Sequence, residues 1–270
     1  MRSQIAIAGL LILVAAQPCP AAVFHRNRQS SSRRSAGVSS RKRLNVNDLI
    51  TEPGTVELDW GSLYSYTTGA WTMPSALKFT PAGGSLLRGR TEYSVAFDSV
   101  ASEINTGARS TQFSDRLTFA ATSVVFDSPH FDIAVAPQVT AFLRNESGVR
   151  LGGTVIARYD RAGNSAGLSA SWTAATAVTE SNPAGVWDFA AGFGRPLAAT
   201  GLLGRITPHV NTVLEKSTGF ERTLAAFGGV EYQVNKRVSV DVSGQRFGLV
   251  GNGPDRQLLV SLTVNLGKPH

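Results

Sequence analysis

From Gly54 onward the chain alternates apolar and polar residues with a period of two, the pattern of strands that show one face to an apolar surround and the other to water. In GTVELDWGSLYSY, Val56, Leu58, Trp60, Tyr64 and Tyr66 share one face while Glu57 and Asp59 share the other. RTEYSVAFDSV sets Tyr93, Val95 and Phe97 against Glu92 and Asp98, and FDIAVAPQVTAFL sets Phe131, Ile133, Val135, Val139 and Leu143 against Asp132, Gln138 and Thr140. GVRLGGTVIARYD opposes Val149, Leu151, Val155 and Tyr159 to Arg150, Thr154 and Arg158, and SAGLSASWTAAT opposes Leu168 and Trp172 to Ser169, Ser171 and Thr173.

The alternation is clearest near the end, in TLAAFGGVEYQVN, KRVSVDVSGQRF and RQLLVSLTVNL, where Glu231 and Asp241 lie on the polar side. Four further segments, SALKFT, DRLTFAATSVVF, VWDFAAGF and LGRITPHVNTVLE, complete a set of about twelve strands, with a range of about 10 to 14. The last carries Arg205, Thr207, His209, Asn211 and Glu215 on its polar side, and its Pro208 removes a ladder donor. Short connections (DSPH, DRAGN, NK) alternate with longer ones (TTGAWTMPS, INTGARSTQ, AVTESNPAG, GLVGNGPD), the parity of periplasmic turns and outer loops. AGGSLLRG and RPLAATGL are long for such turns, and RNES is short for an outer loop.

Strands of this length exceed the roughly 5 to 6 residues usual in soluble sheets and suit a tilted crossing of a bilayer. The ions of the polar face are too many for a dry core, whereas a hydrated lumen accommodates them. The expected fold is therefore all-β, a single antiparallel transmembrane β-barrel closed so that no backbone edge meets lipid. A soluble secreted β-sandwich is the weaker alternative.

Charge adds domain organisation. Arg2 and the apolar run Ile5 to Ala16 have the layout of a secretory signal peptide, assigned to residues 1–22, and the run is too short for a helical membrane span. The formal charge of +7 sits in Arg2 and the segment HRNRQSSSRRSAGVSSRKR, which leaves 18 of the 26 basic residues against 19 acidic ones elsewhere. Residues 23–47 are expected to be a basic Ser/Arg-rich disordered tail, and residues 48–270 the barrel. The basic character therefore implies no nucleic-acid partner. The cut can fall after Ala16 or after Ala22; if after Ala22, it takes away Cys19, the single cysteine, and with it disulfides and thiol chemistry.

The signal peptide, the alternating strands and the closing VGNGPDRQLLVSLTVNL resemble outer-membrane barrels grouped with the phenol-degradation meta-pathway transporters. The likeness spans most of Asp48 to Leu266 and implies architecture and a loose transport role, for small solutes that include hydrophobic or aromatic ones. Barrels of this kind commonly finish on an aromatic residue, whereas Leu266 is followed here by Gly-Lys-Pro-His. The implied setting is the bacterial outer membrane, with membrane lipid, a small-molecule solute and the barrel-assembly machinery as partners.

Candidate chemistry is sparse. An enzyme barrel acting on lipid would need a Ser/His pair held by a third group, and His209 with Ser171 or Ser243 is the one arrangement that offers it. No nucleophile elbow, metal-ligand spacing or phosphate loop accompanies it, so no enzyme activity, cofactor or metal is expected. The lumen-lining candidates are Glu57, Asp59, Glu92, Asp98, Arg150, Arg158, Arg205, His209, Glu231 and Asp241, whose charges either set selectivity or pair across and brace the barrel. The expected function is a porin-like channel or transporter. The alternative is a non-transporting barrel that acts through loops 67–75, 103–113, 177–185 and 248–255.

Overall fold

In the computed structural model, the structure describes residues 49–66, 69–82, 90–105, 108–112, 116–143, 148–178, 184–219, 222–250 and 255–267. The segments assigned to the signal peptide and the basic tail lie outside these residues. So do RNES, most of AGGSLLRG and part of GLVGNGPD.

The strands are β1 (Thr55–Ser65), β2 (Trp71–Thr80), β3 (Thr91–Asn105), β4 (Ala108–Gln112), β5 (Arg116–Asp127), β6 (Phe131–Phe142) and β7 (Val149–Arg161). They continue with β8 (Asn164–Ala175), β9 (Gly185–Gly194), β10 (Ile206–Ser217), β11 (Thr223–Gln233), β12 (Val238–Val250) and β13 (Asp255–Gly267). Apart from β4 with β5, each pairs antiparallel with its sequence neighbours, and the first strand meets the last, Val56 opposite Gly267 and Ser65 opposite Gln257. β4 pairs with the second half of β3 and β5 with the first half, so these two segments are successive lengths of one stave. The thirteen segments thus make a closed barrel of twelve staves.

The strand boundaries correct several expected loops. Residues 71–75 belong to β2, and β3 with β4 forms a hairpin in which Asn105 pairs with Ala108. Residues 248–250 continue β12. Among the described residues, one rim carries Thr55, Gly267 and the connections 128–130, 162–163, 195–205 and 234–237. At 162–163 the two-residue turn has Ala162 at φ 51 and Gly163 at φ 83, the positive pair that matches a hairpin's twist. Pro208 is tolerated because it stands beyond the last β9–β10 pair, His209 with Gly194, and its carbonyl still accepts from Arg195 N at 3.2 Å.

Alternation translates directly into an inside-out molecule. Leu168 is 62% exposed and Trp172 43%, and Leu77, Tyr93, Phe119, Val155, Phe189, Val210 and Val242 face outward with them. Contiguous apolar surface on this scale is the mark of a face that lies in lipid. Aromatic contacts mark both ends of the belt. Tyr64 meets Tyr66 edge-on at 5.1 Å, and Trp187 stacks on Phe189 at 6.4 Å near the far rim; Phe126 and Phe131 lie 6.2 Å apart near the rim with the termini.

The apolar core is small and placed inside the barrel at the terminal rim. Leu49 and Ile50, which precede β1, pack on Val124, Ala134 and Ile156, inward residues of β5, β6 and β7. Thr51 N donates to Glu92 Oε2 at 2.6 Å, and the hydroxyls of Thr51 and Thr80 are 2.6 Å apart. Residues 49–54 thus strap the interior from β1 toward the β5–β7 wall.

Candidate functional site

The inward positions of the barrel carry nearly all its buried polar groups. Of the residues singled out from alternation, Glu57, Glu92, Arg150, Arg158, His209, Glu231 and Asp241 are buried there, and Asp59 is half-buried beside Lys78. Asp98 lies in β3 opposite Pro74, but its side chain is outside the described residues. Arg205 is a correction: it ends a single 3-10 turn, Leu203–Arg205, before β10 begins. There it is exposed and donates to Val234 O at 3.2 Å, because the alternation that would turn it inward stops where the strand stops.

The β1–β7 wall is a network of ions. Lys78 bridges Glu57 at 3.4 Å and also contacts Asp59. Arg158, 2% exposed, is bridged to Asp160 and faces Asp132 across the β6–β7 ladder. Arg150 Nη1 donates to Thr173 Oγ1 at 3.1 Å and lies close enough to act electrostatically on Asp188 and Glu215. Arg116 stands over the Phe142 ring at 5.7 Å, and at the rim Arg90 bridges Asp127 at 3.4 Å.

The β8–β13 wall is built differently. Asp188 and Glu215 are directly opposite across β9–β10, as are Glu231 and Asp241 across β11–β12. Ser171 donates to Asp188 at 2.8 Å, and Ser217 to Glu215 at 3.1 Å. His209 Nε2 donates to Asp241 Oδ2 at 2.6 Å, while Asn211 Nδ2 donates to His209 Nδ1 at 3.2 Å, which places the ring proton on Nε2. The ring reaches from β10 past β11 to β12 because Gly229 stands between. A Cβ there would lie 2.8 Å from His209 Nε2, 2.5 Å from Ser243 Cβ and 2.7 Å from Val242 O.

Among the described side chains, inward Lys and Arg occur only on β2, β5 and β7. Inside the barrel four cations, Lys78, Arg116, Arg150 and Arg158, face nine carboxylates: Glu57, Asp59, Glu92, Asp132, Asp160, Asp188, Glu215, Glu231 and Asp241. Lys78, Arg116, Asp132, Asp160, Asp188 and Glu215 were outside the sequence-based candidate set. The signal was present, since Lys78 stands between Leu77 and Phe79 and Asp188 between Trp187 and Phe189. No group of three or more metal-ligating side chains occurs among the described residues.

These features define a closed antiparallel β-barrel with an apolar exterior and a charged interior. Solved structures share it. The KdgM porin superposes with a TM-score of 0.56 at 11% identity, covering 78% of this chain and 99% of that one. The same porin in complex with disordered oligogalacturonate gives 0.56 at 10%, over 78% and 99%. The NanC porin gives 0.56 at 10%, over 77% of this chain and 100% of its own. No protein-family model and no curated protein sequence matches the chain.

Proposed function

We propose that this chain is a bacterial outer-membrane channel that lets small solutes pass along its inward polar face. One observation carries the reading: a closed barrel whose outward residues are apolar and whose inward residues are ions, hydroxyls and amides. Water and polar solutes are the natural occupants of such an interior, since isolated ions are expensive to bury without them. Residues 1–22 as an export signal, residues 23–47 as a periplasmic tail, and contact with membrane lipid and the barrel-assembly machinery belong to the same reading. The oligogalacturonate in the KdgM complex supports soluble saccharides as one solute class for this fold. The resemblance of the signal peptide, the alternating strands and the closing hairpin to the phenol-degradation group supports aromatic solutes.

The test is planar-bilayer conductance of the refolded protein, with heat-modifiable migration as the check of barrel formation. Discrete, salt-dependent steps are the expected result, and a folded barrel that never conducts would overturn the proposal. One observation favours a second reading, a sealed structural or surface-interaction barrel: Leu49, Ile50 and Thr51 occupy the interior near the terminal rim. A lipid hydrolase is disfavoured because both ring nitrogens of His209 are engaged and Ser171 donates to Asp188.

A further inference from the structure

Resting on the channel reading, we infer that the lumen selects cations, and that the β8–β13 wall is the surface along which a small solute bearing ammonium or guanidinium groups moves.

The sign of the interior comes first. Nine carboxylates against four Lys or Arg at the described inward positions leave a net negative charge in a narrow space bounded by a low-dielectric wall. Charges lining a pore favour the ion of opposite sign, and a low-dielectric surround focuses their field along the axis.

Placement comes second. All four cations are on β2, β5 and β7; Lys78 is held by Glu57 and Asp59, Arg158 by Asp160 and Arg116 by the Phe142 ring within that wall, while Arg150 reaches across to Thr173 of β8 at the seam between the two walls. The β1–β7 wall, with five carboxylates beside these four cations, comes close to neutralising itself, and the excess of negative charge that draws a positive solute lies on the other side. On that other side the two carboxylate pairs, Asp188 with Glu215 and Glu231 with Asp241, lie at different heights. Along β10 the inward positions from Glu215 to Thr207 cover roughly 26 Å at about 3.3 Å per residue, comparable to the thickness of the hydrocarbon layer.

The third observation lies between the pairs and is independent of charge. Asn211 is 8% exposed, and its Oδ1 is buried with no hydrogen-bond partner. A buried acceptor without a donor costs about 1–3 kcal/mol, so this stretch of wall lacks a donor, which an ammonium or guanidinium group is equipped to bring. Asn211 thus adds one unpaired acceptor between the two carboxylate pairs.

The test is the reversal potential of the refolded full-length channel under a KCl gradient, for the wild type and for Asp188→Asn/Glu215→Gln. The amides keep an oxygen to accept from Ser171 and Ser217, so the variant is expected to fold, as heat-modifiable migration would report. The wild type is expected to favour K+ over Cl− severalfold, and the variant to fall toward equal permeability. A conducting wild type with no preference, or with preference for Cl−, overturns the inference and leaves the channel reading intact; a silent barrel overturns both. Undiminished selectivity in the folded variant overturns the assignment to this wall. Should the variant not fold, the wild-type sign still decides.

Discussion

The two halves of the barrel wall share one backbone plan and differ in what their inward side chains do. From β1 to β7 cations and carboxylates are interleaved, and the strap of residues 49–51 adds apolar contacts and a hydrogen bond to Glu92. From β8 to β13 the inward residues are mostly Ser, Thr, Gly, Asn and Gln, punctuated by four carboxylates and His209. An ion network that neutralises itself braces; a wall of small polar groups with one sign of charge offers a surface. The difference teaches that alternation alone sets which face is polar, while the pairing of inward charges sets whether that face holds the barrel together or meets a solute.

The largest effect expected is at Arg158. Replacing it with Ala leaves Asp132 and Asp160 without their cation at a buried position, which costs about 3–5 kcal/mol, read as a lower denaturant midpoint for loss of the heat-modifiable form. Asp188→Ala in the opposite wall should lower that midpoint far less, and equal losses would erase the distinction between bracing and surface.

Ile50→Ala removes a side chain that is 0% exposed from the strap and should cost about 2–5 kcal/mol in the same assay. Single-channel conductance should rise at the same time, since the strap then holds the terminal rim less firmly. A stability loss with unchanged conductance would show that the strap braces without narrowing the path.

Gly229→Ala comes next. The new methyl meets His209, Ser243 and the Val242 carbonyl at once, so overpacking of about 1–3 kcal/mol is expected, whereas Gly244→Ala, with nothing within 4 Å of its Cβ, should remain near wild type. Similar midpoints for the two variants would mean that the β8–β13 wall has room the geometry denies it. Smallest of all is Arg205→Ala: the residue is exposed in a rim turn, so stability should stay within about 0.5 kcal/mol and ion selectivity should not move.

Much of the barrel was legible in the chain. The two-residue period identified Glu57, Glu92, Arg150, Arg158, His209, Glu231 and Asp241 as members of one polar face, and the expected count of about twelve staves agrees with the closed sheet. Arg205 failed because periodicity does not announce where a strand ends, and Lys78 and Asp188 were passed over although their neighbours flagged them. The loops at 67–75 and 103–113 were drawn too long because β2 and the β3–β4 hairpin run further into polar sequence than composition suggests.

What the sequence determined by itself is local: side chains alternate across a strand, so each strand carries its own inside and outside regardless of what surrounds it. Which inward residues meet was decided only by the tertiary structure. The Glu231–Asp241 and Asp188–Glu215 pairs, the passage of His209 over Gly229 and the docking of Leu49 and Ile50 against β5–β7 all depend on register and closure. The physical reason is that register is a relation between strands, and a slip of one residue on either partner would turn the strand residues among these to the other face and unmake the wall on which Leu49 and Ile50 dock.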